Sequence, residues 1–180
     1  MQSLKGHLLV AGPNLVDPNF RRTVVLVGEH SDEGAMGVVL NRPTGATVVE
    51  AVPELEALVN GADLVHVGGP VQRSAIVVLA DFVEPERAAS LVVESVGFLP
   101  AEVEPDELGE LRQTRVFAGY AGWGPQQLDS ELDEGSWIVE PALPEDVFTT
   151  TPDELWSDVL RRKGGPFSVL ALMPPDPSLN

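Results

Sequence analysis

The chain has 180 residues, 11 Lys and Arg against 28 Asp and Glu, a formal net charge of −17 at pH 7, and no cysteine. That length suits one domain spanning 1–180, able to bury roughly 70% of its extended-chain surface. The missing cysteines exclude a disulfide scaffold, thiol catalysis and thiolate metal sites. The surplus of acid disfavours direct nucleic-acid binding, which needs a basic face.

The first residues, Met1 to His7, carry one Lys, and the apolar run Leu8 to Gly12 stops at Pro13. A secretory core needs roughly 7–15 apolar residues. The uncharged stretch Val116 to Leu128 is shorter than the roughly 20 residues of a spanning helix and is rich in Gly. A cytoplasmic protein without membrane association is expected, and its charge repels anionic lipid over the Debye range of roughly 8 Å.

In chain order, His7 to Ala11 reads as a strand closed by the Gly12-Pro13 turn. Arg22 to Gly28 contains Thr-Val-Val-Leu-Val, too continuously apolar for a surface strand, and predicts one buried on both faces. Met36 to Leu40 repeats that character, and the polar turn Glu29 to Ala35 makes the two an antiparallel pair. Thr47, with Glu50 three residues on, predicts a capped helix carrying Val48, Val52, Leu55 and Val59, shortened or kinked by Pro53 and stopped by Asn60-Gly61. Leu64 to Val67 and Ala75 to Leu79 read as strands on either side of Gly68-Gly69-Pro70.

Glu84 to Glu94 predicts a helix from near Pro85, and Glu102 to Gly109 an exposed acidic segment. Arg115 to Tyr120 predicts a strand, Pro125 to Leu132 a short helix and Ser136 to Val139 a strand. The clearest helix is Pro152 to Lys163: Thr151 at its cap, Asp153 and Glu154 in its first turn, Arg161, Arg162 and Lys163 in its last, and Gly164-Gly165-Pro166 after it. An apolar piece, Phe167 to Met173, leads into a Pro-rich tail. Irregular interleaving of strands and helices predicts an α+β fold.

Phosphate-loop, dinucleotide, nucleophile-elbow and zincin signatures are absent. His7, His30 and His66 are far apart and read as packing or surface histidines, so no metal and no cofactor is expected. Four clusters carry the remaining signal. Asp17-Pro-Asn-Phe20 can cap backbone groups in a turn. Gly34-Ala-Met-Gly37 leads to Asn41-Arg42-Pro43, where a guanidinium can hold an anion or pair with a carboxylate. Gly68 and Gly69 supply unusual backbone angles and free N–H groups. Gly119-Tyr-Ala-Gly-Trp-Gly-Pro-Gln-Gln127 places glycines and aromatics just before a helix start, whose N–H groups are free. The candidate ligand-binding residues are Asp17, Asn41, Arg42, Gly68, Gly69, Gly119, Tyr120, Trp123, Gln127 and Glu131. Each has a structural alternative as a turn former or packing group.

These clusters, in this order, resemble the YqgE/AlgH family of bacterial proteins. The matching strings are Gly6-His-Leu-Leu-Val-Ala-Gly-Pro13, Asp17-Pro-Asn-Phe20, Gly34-Ala-Met-Gly37, Leu40-Asn-Arg-Pro43, Gly68-Gly-Pro-Val71 and Gly119-Tyr-Ala-Gly-Trp-Gly-Pro125. The family pattern has Gly where this chain has Gln126, and Glu where it has Asp129. The resemblance implies an α+β fold whose bifurcated mixed sheet includes a small barrel and is flanked by helices. It carries over no catalytic residue set. It implies a link, in some relatives, to transcriptional regulation of exopolysaccharide genes.

Three functions are open at this point. The first is a regulatory or ligand-binding protein acting on a small molecule or a protein partner without touching DNA. The second is an enzyme acting on a small polar substrate at a Gly-rich pocket. The third is a structural or assembly module.

Overall fold

The computed structural model describes residues 2–175. Ten strands form its sheet: β1 (His7–Ala11), β2 (Val24–Ser31), β3 (Gly34–Val39), β4 (Pro43–Thr47), β5 (Leu64–Val67), β6 (Val71–Phe82), β7 (Ser90–Val93), β8 (Val96–Phe98), β9 (Leu111–Trp123) and β10 (Trp137–Pro141). The helices are α1 (Val48–Ala51), α2 (Gln127–Asp133), α3 (Pro144–Val147), α4 (Pro152–Lys163) and α5 (Pro166–Leu170). The tail beyond residue 175 lies outside the described residues.

The strands follow the order β10-β1-β2-β3-β9-β6-β8-β7 with antiparallel neighbours, and the sheet forks at β9. There β5 pairs in parallel with β9, through His66 opposite Phe117 and Val67 opposite Ala118, and carries β4 on its other edge. The fold is α+β, but the sheet is not closed: β10 and β7 end the path without pairing to each other. The small barrel implied by the family resemblance is therefore not formed.

The apolar runs of β1, β2 and β3 are explained by layers on both faces. Leu8, Val10, Val24, Leu26, Val38 and Leu40 join one buried cluster with Leu155, Trp156, Val159 and Leu160 of α4. The intervening Leu9, Ala11, Val25, Val27 and Val39 join a second cluster with Leu128 of α2 and the indoles of Trp123 and Trp137. Side chains alternate across a strand, so a strand with two covered faces needs an unbroken apolar sequence. Trp156 also donates its Nε1–H to the carbonyl of Ala11 at 2.9 Å, fixing α4 over β1.

Several expectations are corrected. The turn between β2 and β3 shrinks to Asp32-Glu33, because both strands extend into the polar residues. The Thr47 hydroxyl does accept from the Glu50 N–H, at 3.4 Å, but Pro53 limits α1 to one turn and continues it as a 3-10 segment, Pro53–Leu58. Glu84 to Glu94 is not a helix. A single 3-10 turn, Pro85–Arg87, precedes β7, whose Leu-Val-Val suits a strand. Strand β4 was not anticipated. Thr151 stands at the α4 N-cap, but its side chain makes no capping bond.

Candidate functional site

The glycine bends meet, backbone against backbone. After β5, the Gly68 N–H donates to the Ala118 carbonyl at 2.9 Å, and the Val39 N–H donates to the Gly68 carbonyl at 2.8 Å. A Cβ on Gly69 would lie 2.2 Å from the Tyr120 carbonyl carbon, and one on Gly119 would lie 2.6 Å from the Gly69 oxygen. Gly69, at φ +153°, and Gly119, at φ +77°, thus let two chain segments cross at contact distance. Tyr120 packs half-buried against the cluster under α4.

Asp17, Asn41 and Arg42 gather around the loop before β2. The Asn41 amide accepts from the Val24 N–H at 3.0 Å and donates to the Arg22 carbonyl at 2.9 Å, extending the β2–β3 ladder past its end. Arg42 donates through Nη1 to the carbonyls of Pro18 and Asn19, at 2.7 and 2.9 Å, and through Nη2 to that of Arg21 at 2.8 Å. Asp17 accepts from the Asn19 N–H at 2.8 Å. A cleft of about 420 Å³ joins Asn41 and Arg42 to Arg21, Arg22, Asp153 and Trp156. There Arg21 donates to the Pro175 carbonyl, while Arg22 donates to the Met173 carbonyl and stacks 4.1 Å over Trp156. These guanidiniums hold main-chain oxygens.

Trp123, Gln127 and Glu131 form a third group, at α2. One Glu131 oxygen accepts from both indole N–H groups, at 3.2 Å from Trp123 and 3.0 Å from Trp137. The other accepts from Gln127 Nε2 at 3.1 Å, and the Gln127 carbonyl accepts from the Gly124 N–H at 2.9 Å. Phe20 packs against both tryptophans, tilted against Trp123 and edge-on to Trp137, with ring centroids 6.4 and 5.7 Å away. The ten residues thus fall into three groups, and their polar atoms engage chiefly the protein itself.

A different cleft combines opposite charges with unspent donors. It measures about 200 Å³ and lies between the β4–β5 edge, β9 and the segment before α4, with His66, Arg115, Asp63, Thr114 and Thr149 among its lining residues. His66 is 5% exposed. Its Nδ1–H donates to the Leu64 carbonyl at 3.2 Å, which leaves Nε2 to accept from Arg115 Nη1, also at 3.2 Å. Burial, then the Arg115 charge, pushes the imidazole down to about 4, so it is neutral at pH 7. Arg115 Nη1 also donates to the Thr149 carbonyl at 3.0 Å. Its Nε and Nη2 have no partner, and its guanidinium no carboxylate within 4 Å, among the described residues. Burial lowers the Arg115 pKa, and the charge of Asp63 opposes that shift.

A wider groove of about 610 Å³ lies beside Ile76 and Phe98. Its lining carries Glu54, Glu102 and Glu104 but no basic residue, so it offers no opposed charges. Arg115 and Asp63 were not among the residues the sequence singled out, and His66 was read as a packing or surface histidine. The available signal was a polar, hydrogen-bonding side chain within or at the start of two apolar stretches, in Leu-Val-His-Val and Arg-Val-Phe-Ala.

Similarity to known proteins runs the length of the chain. The sequence model of the AlgH-like family matches residues 8–168. A UPF0301 protein of Streptomyces coelicolor is 43% identical over 187 residues, covering 100% of this chain and 97% of its own. One from Thermobifida fusca is 44% identical over 192 residues, covering 99% and 96%. The crystal structure of protein DIP2367 from Corynebacterium diphtheriae superposes with a TM-score of 0.86 at 30% identity, covering 96% of this chain and 94% of its own. The solution structure of AlgH from Pseudomonas aeruginosa gives 0.71 at 31% identity, covering 96% and 95%. Full-length similarity at these identities, together with the family match, places this chain in the AlgH-like, or UPF0301, family.

Proposed function

We propose that this protein is a cytoplasmic ligand-binding protein that takes a small anion on Arg115 and exerts a regulatory effect through the bound state, without contacting DNA. The observation that carries this reading is Arg115 itself. In a chain with 28 acids and 11 bases, this guanidinium lines a half-apolar cleft with two donor groups unspent among the described residues. An arginine fork held on one side by His66 and Thr149 is ready to meet a planar anion on the other. The volume, below the roughly 300–1,000 Å³ of sites that enclose drug-sized ligands, suits a small solute. The net charge of −17 repels nucleic-acid phosphates and favours action through another molecule.

Thermal melting in acetate, isovalerate, phosphate and sulfate, each against chloride at equal ionic strength, tests the reading. At least one of these anions raises the midpoint of the native protein, since a solute bound only to the folded state stabilises it by mass action. Arg115→Met and Arg115→Lys lose or reduce that rise. A midpoint indifferent to all four anions, or raised equally in Arg115→Met, overturns it.

A further inference from the structure

Asp63 lines the same cleft as Arg115, yet the two are not within the 4 Å of an ion pair. One Asp63 oxygen accepts from the Asn60 N–H at 2.9 Å, closing the turn before β5. The other has no partner among the described residues. The cleft therefore presents a cation and an anion, each with unspent capacity and each too distant to satisfy the other. The charge of Asp63 acts on both His66 and Arg115, raising the pKa of each against the burial that lowers it. Beside these groups, His66 and three threonines, the lining has an apolar wall that includes Val48, Val59, Val116, Pro43 and Pro152.

We propose that the cleft binds a small zwitterion, an α-amino acid with a short apolar side chain, its carboxylate on Arg115, its ammonium on Asp63 and its side chain against the valine and proline wall. This rests on the reading of Arg115 as an anion site and adds the second charge. A dianion such as phosphate is disfavoured, because the fixed carboxylate that attracts an ammonium repels a second negative charge. A ligand carrying both charges gives each cleft group its partner, and the apolar wall then selects by side-chain size.

The test is calorimetric titration of the full chain with L-alanine, L-valine, L-leucine and L-methionine. The tightest binder is then compared with its N-acetyl derivative, its carboxamide and its desamino acid, which is isovalerate for valine. At least one amino acid binds, and each derivative binds about tenfold or more weakly, the loss of one charge-assisted contact. Asp63→Asn, which keeps an acceptor for the Asn60 N–H, narrows the gap between amino acid and desamino acid. Arg115→Met removes binding. A desamino acid binding as tightly as its amino acid, or simple anions binding where no amino acid does, overturns the zwitterion and leaves the anion site standing. A carboxamide binding as tightly as its acid, binding unchanged in Arg115→Met, or binding of no probe at all overturns both.

Discussion

His66 accepts through Nε2 a 3.2 Å hydrogen bond from Arg115, so a neutral imidazole is held beside a permanent cation. Burial, and after it the repulsion that a protonated imidazole would meet from Arg115, lowers the His66 pKa from 6.5 to about 4. In the unfolded chain the same group takes a proton near pH 6.5. The stabilisation is therefore complete above pH 6.5, declines as pH falls, and is gone once the pH has passed below about 4. Its full extent is about 3 kcal/mol. Urea unfolding from pH 7.5 to 4 measures it as the difference in slope between the native chain and His66→Gln. The native chain loses the larger amount, and identical pH dependences in the two would refute the coupling. Arg115→Met should raise the His66 pKa by proton NMR only partway to 6.5, since burial remains.

The single Glu131 oxygen shared by Trp123 and Trp137 gives a second prediction. Both indoles are nearly buried, at 6% and 4% exposure, and Glu131 is the acceptor for each. Glu131→Ala leaves two buried donors without it and should cost about 2–4 kcal/mol. Glu131→Gln keeps a carbonyl oxygen and should lose less. Denaturation followed by tryptophan emission reports both the stability and the environment of these rings. A loss under about 1 kcal/mol for the alanine variant would mean that solvent satisfies the indoles instead.

What the sequence discloses is uneven for physical reasons. Strands β1 and β2 were readable because covering both faces forces an unbroken apolar run, as in Leu8 to Ala11 and Val24 to Val27. Helix α4 was readable because Pro152, the acids after it and Gly164 mark both its ends. Strand β7 was hidden: Glu84-Pro-Glu-Arg looks like a helix start, and four residues are too few to show a period of two. The open ends of the sheet depend on which edges pair, and local composition does not record that. Residues 66 and 115 meet although 49 positions apart, through the parallel β5–β9 pairing at the sheet's fork. A nonlocal pairing of that kind leaves no signature in either segment. Gly68 and Gly69 read in the sequence as a bend with free N–H groups, but the separations at Gly68, Gly69 and Gly119 show that the space there is filled by backbone.

Gly69→Ala distinguishes a crossing point from a ligand loop. The added Cβ would sit 2.2 Å from the Tyr120 carbonyl carbon and 2.3 Å from its oxygen, so either the connection between β5 and β6 or β9 itself must shift. Its backbone, at φ +153°, also resists an L side chain. The variant should lose more than about 4 kcal/mol, the upper range for single substitutions, and accumulate as insoluble protein. Recovery of a soluble variant with a native circular dichroism spectrum and a melting midpoint within a few degrees of the native chain would show that the crossing can relax. Gly61→Ala, where an added Cβ meets nothing within 4 Å, is the matched control and should be nearly neutral.

Gln126 holds its backbone in the left-handed region, at φ +63°, ψ 0°, just before α2. An L side chain there brings its Cβ against the following carbonyl, at a cost of roughly 1–2 kcal/mol. Glycine avoids that contact but gives up more backbone entropy on folding, which returns part of the gain. The Gln126 side chain is exposed and makes no capping bond at the start of α2, so replacing it removes no contact that would offset the relief. Gln126→Gly should therefore stabilise the protein by about 0.5–1 kcal/mol, read as a higher urea midpoint at unchanged slope. Gln126→Ala keeps the Cβ and should give no such gain. If the alanine variant matched the glycine variant, the side chain beyond Cβ, and not the backbone angle, would be the source of the strain.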